Sequence, residues 1–207
     1  MKKTILTCLI AVLAVVSVSA QASFGVKGGV NFASVMGDTP NGVKYRTAWN
    51  VGLVAEIETS SNTSVQPEIM YSSQGFKFNP DRFDAAVESD EFILDYLNIP
   101  VIFKYYFNNN GVSFETGPQL GFLLSSKTRD ETVSSDNLSN NLTTATFDWL
   151  IGFGYKFDNG FNVNARYNFG ATNIWKGPVR NPPPGYWYYD YGKRNSVFQI
   201  TIGYYFD

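Results

Sequence analysis

Eight stretches of the chain alternate apolar and polar residues with a period of two, the mark of half-buried strands. They predict strands at Phe24–Ala33, Arg46–Glu58, Thr63–Gln74, Phe92–Phe107, Val112–Leu124, Thr144–Phe157, Phe161–Ala171 and Ser196–Phe206. In the second stretch Trp49, Val51, Leu53, Ala55 and Ile57 oppose Asn50, Gly52, Glu56 and Glu58. The seventh sets Phe161, Val163, Ala165, Tyr167 and Phe169 against Asn162, Asn164, Arg166 and Asn168. Each apolar row approaches the roughly 9 to 11 residues that a tilted strand needs to cross a bilayer.

The connections alternate in length. Thr59–Asn62, Asn108–Gly111 and Asp158–Gly160 are tight, and the last two hold the Asn-Gly pairs that supply positive φ to a hairpin. Ser34–Tyr45, Asn79–Glu91, Ser125–Thr143 and Thr172–Asn195 are long. Short inner turns and long outer loops are the habit of outer-membrane barrels, so both chain ends are expected in the periplasm. The pattern is interrupted at Phe76, Phe78 and Asp95, which are expected above the bilayer, with a bulge at Gly75.

The chain begins with Met1, Lys2 and Lys3, an apolar run to Val18, and small residues ending at Ala20 and Ala22. This reads as a signal peptide over residues 1–22, followed by a barrel domain over residues 23–207. A retained membrane helix is the rival reading, and the small-residue exit favours cleavage. Cys8, the single cysteine, would leave with the leader, so the mature chain has neither disulfide nor thiol chemistry. The fold class expected is all-β: an eight-stranded antiparallel up-and-down transmembrane barrel.

Composition narrows the chemistry. Without Lys2 and Lys3, about 14 basic residues face 18 acidic ones, and the negative balance argues against nucleic acid as a partner. Histidine is absent, which removes Ser-His and Asp-His catalysis and imidazole metal ligation. No catalytic residue, cofactor or metal site is expected.

The inner face collects Lys27, Glu56, Glu68, Lys104, Glu115, Asp148, Lys156 and Arg166, four of each sign. A lumen that side chains can fill makes these a salt-bridged polar core; the competing reading is a carboxylate pair or an ion path. Gly152 and Gly154 on the same face suit either making room for a long lumen side chain or bending a strand in a tight barrel. Aromatics gather at the strand ends, with Phe24, Tyr105, Phe107, Phe157, Phe161, Tyr204 and Phe206 on the short-turn side. Phe32, Trp49, Tyr71, Trp149 and Phe169 lie nearer the other end, so two membrane girdles are expected. The last long loop concentrates Trp175, Tyr186, Trp187, Tyr188, Tyr189 and Tyr191 around Pro182–Pro184, residues suited to a stiff outer binding surface or, in the alternative, to a loop that packs on its neighbours and the barrel rim.

Several stretches resemble the PorT-like outer-membrane β-barrel family of Gram-negative anaerobes: F-G-V-K-G-G-V-N-F-A at Phe24–Ala33, Q-P-E-I-M-Y-S-S-Q-G-F-K-F at Gln66–Phe78, Y-L-N-I-P-V-I-F-K-Y-Y-F at Tyr96–Phe107, G-P-Q-L-G-F-L-L at Gly117–Leu124 and I-G-Y-Y-F at Ile202–Phe206. The segment around Pro100 is the most specific. The resemblance implies fold and outer-membrane location. Some relatives are accessory components of a protein-secretion and gliding apparatus. Asp207 after Phe206 departs from the terminal aromatic that barrel assembly commonly reads.

The expected function is a non-enzymatic outer-membrane barrel with an envelope or surface-interaction role through its outer loops. The partners expected are outer-membrane lipid and an extracellular or secretion-apparatus protein. A narrow porin-like channel, a rim enzyme acting on lipid and a soluble barrel with an apolar ligand are the alternatives.

Overall fold

A computed structural model of the chain describes residues 22–37, 43–78, 90–107, 110–128, 141–177 and 192–206. The expected signal peptide, with Cys8, therefore lies outside the described residues up to Ala22. Eight long strands are β1 (Ala22–Met36), β3 (Arg46–Ser60), β4 (Thr63–Phe78), β5 (Asp90–Tyr106), β6 (Val112–Thr128), β7 (Ala145–Lys156), β8 (Phe161–Asn173) and β9 (Arg194–Phe206); a two-residue strand, β2 (Val43–Lys44), pairs with the end of β4.

Each long strand pairs antiparallel with its neighbour in sequence, and β1 pairs with β9, so the sheet closes on itself. Closure leaves no long strand with an unpaired edge, which a bilayer would not tolerate. The expected Asn-Gly turns form with Gly111 at φ 80° and Gly160 at φ 85°. Asn110 and Asn159 support them by accepting hydrogen bonds from the amides of Val112 and Phe161.

Burial alternates along the strands in the sense opposite to a soluble barrel. Leu53 is 61% exposed and Phe153 59% exposed, whereas Arg166 is 4% exposed and Glu115 1%. Apolar side chains pointing outward and charges pointing inward suit a surrounding of lipid and exclude the soluble-barrel alternative on packing grounds. Aromatic pairs follow the two expected girdles. Tyr105–Phe107, Phe161–Tyr204 and Tyr204–Phe206 meet edge-on near the tight turns, and Trp49–Tyr71 stack at 4.8 Å towards the other end.

Two expectations need correction at the long-loop end. The bulge is not at Gly75, whose register with Ile93 is regular; it is on β6, where Asp95 pairs with Ser125 and Tyr96 with Leu123, leaving Leu124 as the extra residue. Gly75 is required for another reason: its φ is +115°, and a Cβ there would lie 2.0 Å from the Phe92 carbonyl oxygen. Nor does the alternation simply lapse at Phe76 and Phe78. The inner face itself turns apolar, and Phe76, Phe92, Leu94 and Tyr96 bury one another there.

Candidate functional site: a charge chain in the lumen

Seven of the eight expected lumen charges come together. Their order is set by register. Lys104 on β5 stands opposite Glu115 on β6, Glu115 opposite Gly152 on β7, and Gly152 opposite Arg166 on β8. Because Gly152 carries no side chain, Arg166 reaches across it; a Cβ at that position would sit 2.8 Å from Arg166 Cγ. Gly154 does the same for Glu115, whose Oε1 lies 2.3 Å from where a Cβ would be.

The ion pairs form one continuous chain of alternating sign. Lys27 Nζ contacts Glu68 Oε1 at 3.1 Å, and Arg166 Nη1 contacts that same oxygen at 2.8 Å. Arg166 Nε lies 2.5 Å from Glu115 Oε2. Lys104 Nζ is 3.6 Å from both Glu115 and Glu56. Lys156 Nζ then joins Glu56 at 3.5 Å to Glu58 at 3.9 Å. Four cations meet four carboxylates, so the chain is neutral. It runs from the fully buried lumen to the mouth beside the short turns, where Glu58 is half exposed.

Neutral groups add hydrogen bonds to the carboxylates, while Glu56 Oε2 keeps only its ion-pair contacts and Arg166 Nη2 has no hydrogen-bond partner among the described residues. Asn164 Nδ2 donates to Glu115 at 2.7 Å and Ser64 Oγ to Glu56 at 2.7 Å. The Tyr106 hydroxyl also donates to Glu56, and the Gln66 amide to Glu68. Tyr205 accepts from Lys104 at 3.3 Å and donates to Gln66 at 2.6 Å. Buried charge persists only with this degree of pairing and hydrogen bonding.

The expected membership is wrong in one place. Asp148 is buried on the inner face but has no ion pair among the described residues; its Oδ2 accepts from Gln119 at 3.0 Å and Asn168 at 3.5 Å. Glu58 takes the eighth place instead, because its position on the polar face of β3 brings it to Lys156 at the rim. Tyr106 and Tyr205 were missed altogether. Both share the parity of lumen residues in their strands, Lys104 for Tyr106 and Thr201 for Tyr205, and that parity was the available signal.

Among the described residues, side chains fill the lumen around the charge chain. Between Lys27, Glu68, Arg166 and Gln119 there remains a cavity of about 10 Å³, room for a single water. An open vestibule of about 280 Å³ lies at the short-turn end, lined by Glu58, Tyr106, Lys156 and Tyr205. At the opposite end the apolar cluster closes over the barrel, completed by Leu142, Ile174 and Trp175 from the bases of two loops. Leu142 and Trp175 bridge as a short antiparallel pair, with Thr143 N donating to Ile174 O and Lys176 N to Asn141 O.

Trp175 is consequently not part of an outer binding surface, as the sequence suggested; it is 2% exposed and belongs to the cap. Its apolar ring is worth more buried than exposed. Tyr186, Trp187, Tyr188, Tyr189 and Tyr191, with the Pro182–Pro184 run, lie outside the described residues.

A closed eight-stranded sheet with lipid-compatible side chains outside and a neutral ionic core inside defines a membrane β-barrel. The chain belongs to the family described as outer membrane protein beta-barrel domain, whose model matches residues 19–176, and it is an integral outer-membrane protein. Among solved structures it is similar to Neisserial surface protein A, at 14% identity and a TM-score of 0.50, over 89% of this chain and 99% of that one. It is also similar to OprG from Pseudomonas aeruginosa (13% identity, TM-score 0.46, 90% and 97% covered) and to Ail of Yersinia pestis, solved with the heparin analogue sucrose octasulfate (12% identity, TM-score 0.47, 89% and 99% covered). At these identities the likeness is one of fold. No curated protein matches the sequence.

Proposed function

We propose that this protein is a non-enzymatic, non-conducting outer-membrane barrel that serves the envelope or the cell surface through its long loops. The observation that carries the reading is the filled lumen: an alternating, neutral chain of charges below an apolar cap. Ions crossing it would have to break buried pairs and then enter a dry cluster. The four carboxylates of the charge chain each face a cation, which leaves none of those four poised as a free general base. The leader over residues 1–22 is removed on export, residues 23–207 form the barrel, and both termini lie in the periplasm with the short turns. Outer-membrane lipid surrounds the outer aromatic rows.

Recording in planar bilayers tests this. Purified, folded protein should insert without steady unitary conductance; a large, steady conductance from the wild type would refute the closed lumen and favour the porin-like alternative.

The PorT-like resemblance at Tyr96–Phe107 supports a second reading, an accessory role in a protein-secretion apparatus. Within that stretch Tyr96 contributes to the cap while Lys104 and Tyr106 contribute to the charge chain, so the motif spans both lumen layers. Co-purification of secretion-apparatus proteins with the cross-linked barrel is the result it requires. A barrel recovered without them would refute it.

A further inference from the structure

Asp148 is the anomaly of the lumen. The other fully buried carboxylates each have a cation within 3.6 Å, whereas Asp148 is 2% exposed and meets only amide donors, both on Oδ2. Its Oδ1 is buried without a hydrogen-bond partner. A carboxylate left bare in such a place is costly, and among the described residues no positive side chain pairs with it.

The unpartnered polar atoms around Asp148 are oxygens, among them the Tyr96 hydroxyl beside Asn195, which can donate as well as accept. Asn168 turns its Nδ2 towards Asp148, which leaves its own Oδ1 buried and unpartnered. Thr146 lies two residues along the same inner row of β7, and its Oγ1 is unpartnered too. Gly170 is the register partner of Asp148 on β8; a Cβ there would lie 2.6 Å from the Asn195 carbonyl oxygen, so the missing side chain lets Asn195 approach. Asn195 Oδ1 is unpartnered as well. The group sits between two closed layers. Gly152, in the Arg166 row, is four residues further along β7, and Leu142 of the apolar cap precedes Thr146 by four residues.

One carboxylate, two amide oxygens and one hydroxyl form a hard, all-oxygen set with a single negative charge. Divalent ions generally demand more ligands and more charge than this. We propose that Asp148, with Asn168, Thr146 and Asn195, holds one alkali-metal ion in the upper lumen. The ion completes the neutrality that the charge chain achieves with side chains alone. The site goes beyond the closed-barrel reading and stands independently of which end faces the periplasm.

The test is ion-specific stability. Wild-type barrel is refolded in detergent micelles with sodium chloride, potassium chloride or choline chloride at equal ionic strength, and its thermal unfolding is followed. A ligand that binds only the folded state raises the midpoint with its concentration. The midpoint should be higher in sodium or potassium than in choline, and should climb with alkali-ion concentration. Asp148→Asn keeps the shape and the neighbouring amides but removes the charge, so its midpoint should be the same in all three salts. Equilibrium dialysis of wild type with radioactive sodium and rubidium provides a reading that needs no variant, with one ion retained per barrel expected. Equal wild-type midpoints in choline and alkali salts, an unchanged ion response in Asp148→Asn, or no retained ion would overturn the site and leave water as the partner of these oxygens.

Discussion

Arg166→Ala is the perturbation that best tests the lumen chain, because Arg166 joins its two halves. The guanidinium holds Glu68 at 2.8 Å and Glu115 at 2.5 Å, all three being buried. Removing one partner of a buried pair typically costs about 3–5 kcal/mol, chiefly because a charge is left uncompensated. The two losses here should not add in full. Glu68 keeps Lys27 at 3.1 Å, and Glu115 keeps Lys104 at 3.6 Å together with the Asn164 amide. A single loss of about 3–5 kcal/mol is therefore expected, and at roughly 2–4 °C per kcal/mol it lowers the unfolding midpoint on the order of 6–20 °C. The assay is heat-modifiable migration on gels, with urea unfolding in micelles as a second measure. Lys156→Ala is the control: Lys156 stands at the open end with its side chain 28% exposed, so its loss should cost at most about 1 kcal/mol. Arg166→Met combined with Glu115→Gln removes one charge of each sign and should recover part of the stability. A midpoint for Arg166→Ala within 2 °C of the wild type, or a double variant worse than the sum of its parts, would refute the paired-charge account.

The sequence made the barrel legible because lipid and a polar lumen impose opposite demands on adjacent residues. On β7 that conflict is visible as Phe147, Trp149, Ile151 and Phe153 against Asp148, Gly152 and Gly154. It fixed strand identity and facing, and the tight turns at Gly111 and Gly160 followed from their Asn-Gly pairs. Pairing within the lumen was less legible, since facing inward does not reveal height along the barrel axis. Height decided that Glu58 reaches Lys156 and that Asp148 reaches no cation among the described residues. The cap was hidden for a different reason. Apolar residues on both faces, as at Phe76 and Phe92, look like a broken pattern when the expected inner face is polar throughout. The change from a polar to an apolar interior appears only once Trp175 and Leu142 are seen closing over them.

Three further expectations test the remaining layers. Gly75→Ala places a Cβ at positive φ and within 2.0 Å of the Phe92 carbonyl, so it should lower the yield of heat-modifiable barrel sharply, and normal assembly would show that the strand relaxes freely there. A protease site inserted at Asn159 should resist cleavage from outside intact cells, and cutting there would invert the proposed orientation. Trp175→Ala separates the two barriers of the lumen: truncating a buried aromatic costs about 3–5 kcal/mol, so the barrel should melt earlier as the cap loosens. The charge chain beneath uses none of the cap's atoms, and it should still hold the lumen shut. Bilayer recordings of Trp175→Ala should accordingly remain silent. Steady conductance from this variant, with the ion pairs intact, would locate the seal in the cap and remove the charge chain from that role.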